Sequence, residues 1–391
     1  MLAESYLSRG VSPTKDDVKN AITGQSKGVF PGAFCKLIAD PLGDPAYCAA
    51  MHADGAGTKS SLAYIRYRES GDPVCFKGIA QDSLVMNLDD LLCVGAVDGF
   101  LVSNTIGRNA HRIDATVLKN VIEGYQEFIE QMRAYGINIT MTGGEIADVG
   151  DLVATIIIDS TAFVRLARDR VINCDRIQPG DVIVGLASFG QASYESFPNS
   201  GIGSNGLTAA RHLLLHHDYA VRYPETYSAT LELSRVYCGT YHLTDLLPGS
   251  NQTVGEAILA PTRTYLPIIK EVLASHGAAA LHGMAHCTGG GQIKCKSFGR
   301  GLHYFKDNLF ATPPLFQAIL AQGEIKPAEM FQIFNMGHRL EIYCAPDTAA
   351  RIIAIAEKYH VDAQIVGRVL ANDRQEENKV TIIHEGREYS Y

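Results

Sequence analysis

The chain has 391 residues, a net charge of −8, 46% hydrophobic and 19% charged residues, 37 glycines and no tryptophan. That length exceeds what one core usually supports and predicts two domains, and the composition is that of a compact, loop-rich α/β enzyme, not of a disordered or fibrous chain. The acidic balance without a clustered Lys/Arg run excludes general nucleic-acid binding; Met1–Ser5 is not leader-like, no apolar run spans a bilayer, and a cytoplasmic protein with no membrane partner is expected. The nine cysteines are scattered without a Cys-x-x-Cys and read as core thiols in a reducing compartment, which argues against a zinc site.

In chain order, residues 1–46 lack a clear period, and Gly28–Phe34 reads as a mobile cover or an irregular connection. A strand over Tyr47–Met51 then feeds His52-Ala53-Asp54-Gly55-Ala56-Gly57-Thr58-Lys59-Ser60. A carboxylate, two glycines, a hydroxyl and an ammonium group within nine residues suit a metal-bound polyphosphate, although the order Gly-Thr-Lys is not that of a P-loop. From Ile79 to Val94 the spacing is helical, with Leu84, Val85, Leu88, Leu91 and Leu92 on one face and Asp82, Asp89 and Asp90 on the polar half. Clustered Asp repel one another and weaken a helix, a cost that a cation would relieve.

A strand at Gly99–Ser103 precedes an amphipathic helix with Leu118, Val121, Ile122, Tyr125, Ile129 and Met132 on its core face. The strand Ile137–Met141 ends in Thr142-Gly143-Gly144-Glu145, a second carboxylate behind glycines, and Leu152–Ile158 completes the sheet. The polar interval Arg168–Gln178 marks a boundary, dividing the chain into domains 1–172 and 173–391.

The second domain opens with the buried strand Val182–Ala187. Gly201-Ile202-Gly203-Ser204-Asn205-Gly206 matches a dinucleotide fingerprint formally, but a long loop separates it from its strand. Ser204 or Asn205 reads instead as the N-cap of a helix at Leu207–Leu215. His216–Asn251 reads as a surface elaboration, and Ala257–Leu273 as one helix. His286-Cys287-Thr288-Gly289-Gly290-Gly291 is a flexible loop or a phosphate cradle. Further elements are expected at Pro314–Leu320 (helix), up to Cys344 (strand), Asp347–Tyr359 (helix), Ala363–Leu370 and Val380–His384 (strands).

Taken together, these stretches resemble the aminoimidazole ribonucleotide (AIR) synthetase family, the phosphoribosylformylglycinamidine cyclo-ligases. The resemblance rests on DGAGTK (Asp54–Lys59), D-x3-MN-x-x-DLL-x-x-GA (Asp82–Ala96), GGE (Gly143–Glu145), GDVIVGLAS (Gly180–Ser188), SNG (Ser204–Gly206), LAPTRTY (Leu259–Tyr265), MAH-x-TGGG (Met284–Gly291) and FNMG (Phe334–Gly337). It implies a two-domain α/β fold with a C-terminal mixed α/β domain, and N-terminal sheets of two subunits closing a β-barrel in a homodimer. The implied reaction uses ATP and Mg²⁺ to cyclise formylglycinamidine ribonucleotide. Carried over position by position, Asp54, Asp90 and Glu145, with Asp82 as a fourth, would bind Mg²⁺. Lys59 and Thr58 would hold phosphate oxygens, with Gly55, Gly57, Gly143 and Gly144 permitting close approach. Ser204, Asn205, Gly206, His286, Thr288 and Gly289 would face the ribonucleotide. Lys59, Asp90 and His286 are the catalytic candidates, His286 being the first to test as general base.

Three features depart from the family pattern: Asp98 where Pro is usual, longer loops before Ser204 and over His216–Asn251, and His338-Arg339 after Gly337. The alternatives are another ATP-using member of the superfamily, such as a small-molecule kinase or a formylglycinamidine ribonucleotide synthetase fragment, and a catalytically silent nucleotide-binding homodimer. A nicotinamide dehydrogenase is the weakest reading.

Overall fold

The computed structural model describes residues 8–11, 20–372 and 377–391; Met1–Ser5 lies outside them. The first sheet comprises β1 (Ile38–Ala39), β2 (Tyr47–Gly55), β3 (Phe100–Arg108), β4 (Ile139–Asp148) and β5 (Ile156–Ala167) in the order β1-β2-β5-β3-β4. Only the β3–β4 pair is parallel. Helices α1 (Lys59–Ser70), α2 (Cys75–Leu92) and α3 (Ala115–Ala134) belong to the same half. β5 alternates buried with half-exposed residues, as a strand covered on one face does. The uncovered face carries Met51, 67% exposed, and Leu101, both directly opposite Phe163.

The strands run longer than their apolar runs. β2 continues through Asp54 and Gly55, and β4 contains Gly143, Gly144 and Glu145, so these residues lie within strands and not in loops past them. Ladder hydrogen bonds, not side-chain hydrophobicity, extend the pairing there. α3 is amphipathic as expected, and Asp114 caps it by accepting hydrogen bonds from the N–H groups of Thr116 and Val117. Ile122, expected in its core face, is exposed. α2 departs from the expectation more: Asp82 and Asp89 are fully buried with the leucines, because the sheet, α3 and segments of the second half surround it. A Cβ at Gly124 of α3 would stand 2.6 Å from the Lys77 backbone of α2, so the crossing of the two helices requires glycine.

The second half contains β6 (Val182–Ala187), the hairpin β7 (Phe189–Gly190) and β8 (Asn199–Ser200), α4 (Leu207–Leu214), α5 (Asp218–Arg222), α6 (Val254–Ile258) and α7 (Leu266–His276). It continues with β9 (Gly283–His286), β10 (Leu302–Lys306), α8 (Pro314–Ala321), α9 (Pro327–Ile333), β11 (His338–Cys344), α10 (Pro346–Lys358), β12 (Ala363–Ala371), β13 (Lys379–His384) and β14 (Arg387–Ser390). Seven strands form a mixed sheet in the order β14-β13-β10-β12-β6-β11-β9, with only β10–β13 parallel.

The single helix expected over Ala257–Leu273 is two, α6 and α7. The intervening Ala260–Tyr265 turns its backbone and side chains to the carboxylates of α2 instead of closing helical turns. Its Arg263 donates to Glu195 and to the carbonyls of Ala187, Phe189 and Gly190, which fixes the loop after β6. His216–Asn251 is more than a surface elaboration, since Tyr219 and Tyr237 are buried within it. α4 begins at Gly206 in the left-handed region, with no side-chain cap from Ser204 or Asn205. Gly28–Phe34 is an irregular connection packed in place: Val29 N–H donates to Leu37 and the Phe34 ring stacks on Phe298. No described helix is long and apolar enough to cross a membrane.

Candidate active site

Two glycine-bearing stretches, one from each half, meet at the expected site. Gly57, with φ of 57°, turns the chain from the end of β2 into α1. Thr58 Oγ1 then lies 3.0 Å from Thr208 Oγ1 on α4, just past the Gly201–Gly206 loop. Lys59, the next residue, is fully buried and its Nζ donates to Asp82 Oδ1 (2.9 Å), Gly203 O (3.2 Å) and Ala260 O (2.5 Å). An ammonium group has three donors and all are used. Lys59 is therefore a tie between the two halves, with no donor left for a phosphate in this conformation. Burial lowers its pKa, and Asp82 opposes that shift.

The three acidic residues of α2 have separate partners. Asp82 also accepts from the N–H (2.7 Å) and hydroxyl (2.5 Å) of Thr262 through the same Oδ1. Asp89 accepts from Thr264 Oγ1 and Tyr265 N–H, and burial raises its pKa. Asp90 lies between two imidazoles: Oδ1 is 2.7 Å from His286 Nδ1 and Oδ2 is 3.1 Å from His52 Nε2. Burial pushes the Asp90 pKa up, but hydrogen bonds from His286 and His52 outweigh it and hold the carboxyl below its ordinary value. Both oxygens of Asp90 are thus engaged.

The protonation of this chain follows from its ends. Asn87 donates through Nδ2 to the carbonyls of Asp54, Ser83 and Ser160, which leaves Oδ1 as the acceptor facing His52 Nδ1 at 2.9 Å. His52 has an acceptor at each nitrogen, an arrangement that favours its protonated form, and its pKa is raised because Asp90 and Asn87 more than offset burial. At the other end, Arg339 Nε donates to His286 Nε2 at 3.1 Å, so His286 carries its proton on Nδ1, toward Asp90. His286 is fully buried with both nitrogens occupied. That leaves it no lone pair for a substrate proton, and it acts here as a spacer between Asp90 and Arg339.

Accessible carboxylates occur instead near the end of the first sheet. Asp159 of β5, Thr105 of β3 and Glu145 of β4 stand directly opposite one another in adjacent strands, so their side chains share a face. Gly55 continues the row on β2, where a Cβ would stand 1.7 Å from Asp159 Oδ1. Asp54 and Glu145 are exposed and Asp159 is half-buried. Burial and the charge of Asp54 raise the Asp159 pKa, a strain that a divalent cation relieves. Gly143 and Gly144 precede Glu145 on the edge strand, exposed and without bulk.

From the second half, Ser204 Oγ pairs with Thr262 Oγ1 at 2.9 Å, and Asn335 Nδ2 donates to Gly201 O at 2.7 Å. Gly206 has φ of 76° and no room for a Cβ beside Phe334. Gly203 packs against the Arg339 guanidinium. Among the described residues, Asn205 Oδ1, Arg339 Nη1 and Asp82 Oδ2 are buried without a hydrogen-bond partner. Such atoms around one glycine loop suit a polar ligand. Thr288 is buried, and Gly289 opens to solvent at the end of β9. A separate cleft of about 830 Å³ runs between α2, α3 and residues 194–199 and 251–264, and includes none of Asp54, Asp90 or Glu145.

Two family models match this chain in series: AIR synthase related protein, N-terminal domain, over residues 36–165, and AIR synthase related protein, C-terminal domain, over residues 178–378. The chain belongs to the AIR synthase related family. Members named phosphoribosylformylglycinamidine cyclo-ligase include one from Methanocaldococcus jannaschii, 30% identical over 335 residues (85% of this chain, 81% of the relative). Another, from Methanothermobacter thermautotrophicus, is 29% identical over 94% of this chain and 92% of its own length. The chloroplastic enzyme of Arabidopsis thaliana is 28% identical, covering 88% and 74%. Solved structures share the fold. Thermotoga maritima PurL complexed with FGAR aligns with a TM-score of 0.54 at 16% identity over 98% of this chain, which spans about half of PurL (51%). The hydrogenase maturation protein HypE aligns at 0.51 and 14% identity, covering 88% of this chain and 87% of that one.

Within this AIR synthase related chain, sequence reasoning missed His52, Asn87, Asp159 and Arg339. His52 and Asn87 sit inside stretches singled out for other residues. Arg339 appeared only as a departure after FNMG. Asp159 lies one residue past the strand expected at Leu152–Ile158; the strand runs instead over Ile156–Ala167, and its period-two alternation was the available signal.

Proposed function

We propose that the chain is an ATP-dependent cyclo-ligase that converts formylglycinamidine ribonucleotide into 5-aminoimidazole ribonucleotide, ADP and phosphate. The observation that carries this reading is the junction of the acidic strand end with the Gly201–Gly206 loop, tied by Thr58–Thr208 and by Lys59 on Gly203. In the proposed reaction the formyl oxygen accepts the γ-phosphoryl group of ATP, the amidine nitrogen bonds to that carbon, and the oxygen leaves with phosphate. Phosphoryl transfer of this kind needs positioning and charge neutralisation more than covalent chemistry from the protein.

Asp54, Asp159 and Glu145 are the proposed oxygen donors for a divalent cation; they are not preassembled as a ligand group in this structure and would close on the ion when it binds with the nucleotide, where Mg²⁺ would offset the triphosphate charge. Asp90 leaves the ligand set because both its oxygens serve the two histidines, and Asp82 leaves it because it is fully buried with Oδ1 committed to Lys59 and Thr262. Asn205 and Arg339, with the exposed Gly289, are the proposed contacts for the ribonucleotide. His52, whose charged form Asp90 and Asn87 favour, is suited to stabilise developing negative charge. The uncovered sheet face, with exposed Met51 and Leu101 beside half-buried Phe163, supports a homodimer in which a second sheet covers it. A cytoplasmic location accords with this role.

The engagement of Lys59, Asp90 and His286 favours one second reading, a nucleotide-binding homodimer without turnover. Purified protein with ATP and Mg²⁺ decides between them. The cyclo-ligase reading predicts ADP release only with formylglycinamidine ribonucleotide present; binding of ATP without ADP release supports the silent dimer, and release independent of that substrate contradicts both.

A further inference from the structure

The long segment between α4 and α6 brings together three metal-ligating side chains that the proposed reaction does not use. His216 follows α4, Asp218 opens α5, and His242 lies beyond the buried Tyr237. His216 Nδ1 is 3.3 Å and His242 Nε2 3.7 Å from the same oxygen, Asp218 Oδ2, and the three ligand atoms lie within 4.8 Å of one another. Ligands about 2.0–2.1 Å from a tetrahedral metal stand about 3.3–3.4 Å apart, so a small inward movement would complete the site. The imidazoles stack at 4.9 Å, and the backbone already holds both arms: His216 N–H donates to Tyr241 O at 2.8 Å, and His216 bridges Gly239.

The electrostatics favour a cation. His216 Nδ1 accepts the Asp218 N–H at 3.3 Å, so that nitrogen carries a lone pair, which a metal would take over from this long hydrogen bond. Asp245 Oδ2 accepts the backbone N–H of His242 at 2.6 Å and lies 3.7 Å from His242 Nδ1, so its charge favours a proton on that nitrogen and leaves Nε2 toward Asp218 for the metal. All three ligands are partly exposed, which gives an ion access and leaves a fourth position for water. The other such group, Cys287, His338 and Glu341, already encloses a cation, because Lys306 Nζ pairs with Glu341 inside it.

We propose that His216, Asp218 and His242 form a site for a zinc-like divalent transition metal that staples the end of α4 to the segment around His242. Two imidazoles and one carboxylate select zinc or cobalt over magnesium, which prefers six oxygens. The test is Zn²⁺ titration of the untagged full chain in excess Mg²⁺, with Co²⁺ as the spectroscopic probe. The expected result is one saturable Zn²⁺ per chain, a tetrahedral Co²⁺ spectrum without a thiolate band, and a melting temperature that rises with Zn²⁺. The His216→Ala/His242→Ala double variant should lose all three, and Asp245→Asn should bind about tenfold more weakly. If the double variant does not fold, the Asp245→Asn titration decides. Absence of a saturable site, its retention in the double variant, unaltered affinity in Asp245→Asn, or a thiolate band overturns the proposal.

Discussion

At the scale of single residues, the site is a set of buried charges that satisfy one another. Replacing Lys59 with Met leaves Asp82 buried without its cation, and such a change costs about 3–5 kcal/mol. Denaturant unfolding should show this loss, and Lys59→Met/Asp82→Leu should recover part of it; two additive losses would mean that the pair is not coupled. The His52–Asp90 contact gives a pH signature. His52 has a raised pKa in the folded chain, so its contribution is complete below its unfolded value of about 6.5 and is lost as pH rises through the folded value. Asp90 has a lowered pKa, so its contribution is present above about pH 4 and is lost in stronger acid. The stability gap between wild type and His52→Gln should therefore be widest near pH 4–6.5 and narrow above it; a gap that widens with pH would show that His52 is neutral. This pairing was not legible in the sequence. The acids stood out by type, but what they bond to depends on Thr262, Arg339 and His286, which the fold brings from far along the chain.

At the scale of elements, amphipathic helices and an unbroken apolar strand were the legible ones. β6, α3 and α10 follow their patterns closely. α2 misled because it is covered on nearly every side: Asp82 and Asp89 are buried by pairing, which a hydrophobic period cannot reveal. The α6–α7 break was hidden for a related reason, since helical spacing continues through residues whose hydrogen bonds go to α2. The α2–α3 crossing tests the packing directly. Gly124→Ala forces a methyl group into the Lys77 backbone and should destabilise the chain by about 1–3 kcal/mol in denaturant melts. A neutral effect would mean that the helices are not so closely packed.

At the scale of the whole molecule, two unlike sheets are joined through α1, α2 and the Ala260–Tyr265 segment, and the site lies at that junction. The order of motifs along the sequence made the family legible, while the distribution of exposed and buried carboxylates required the fold. The uncovered face of the first sheet predicts self-association. Sedimentation should give a dimer for wild type and a shift toward monomer for Met51→Glu, and a wild-type monomer would remove that role from the face. The cyclisation itself is tested most directly by following a heavy-oxygen label in the formyl group of formylglycinamidine ribonucleotide through turnover with ATP and Mg²⁺. The account predicts that the label leaves in inorganic phosphate, one equivalent per ADP and per ring closed. Ring closure with the label released to water, or ADP formed with the label still in the unreacted substrate, would contradict it.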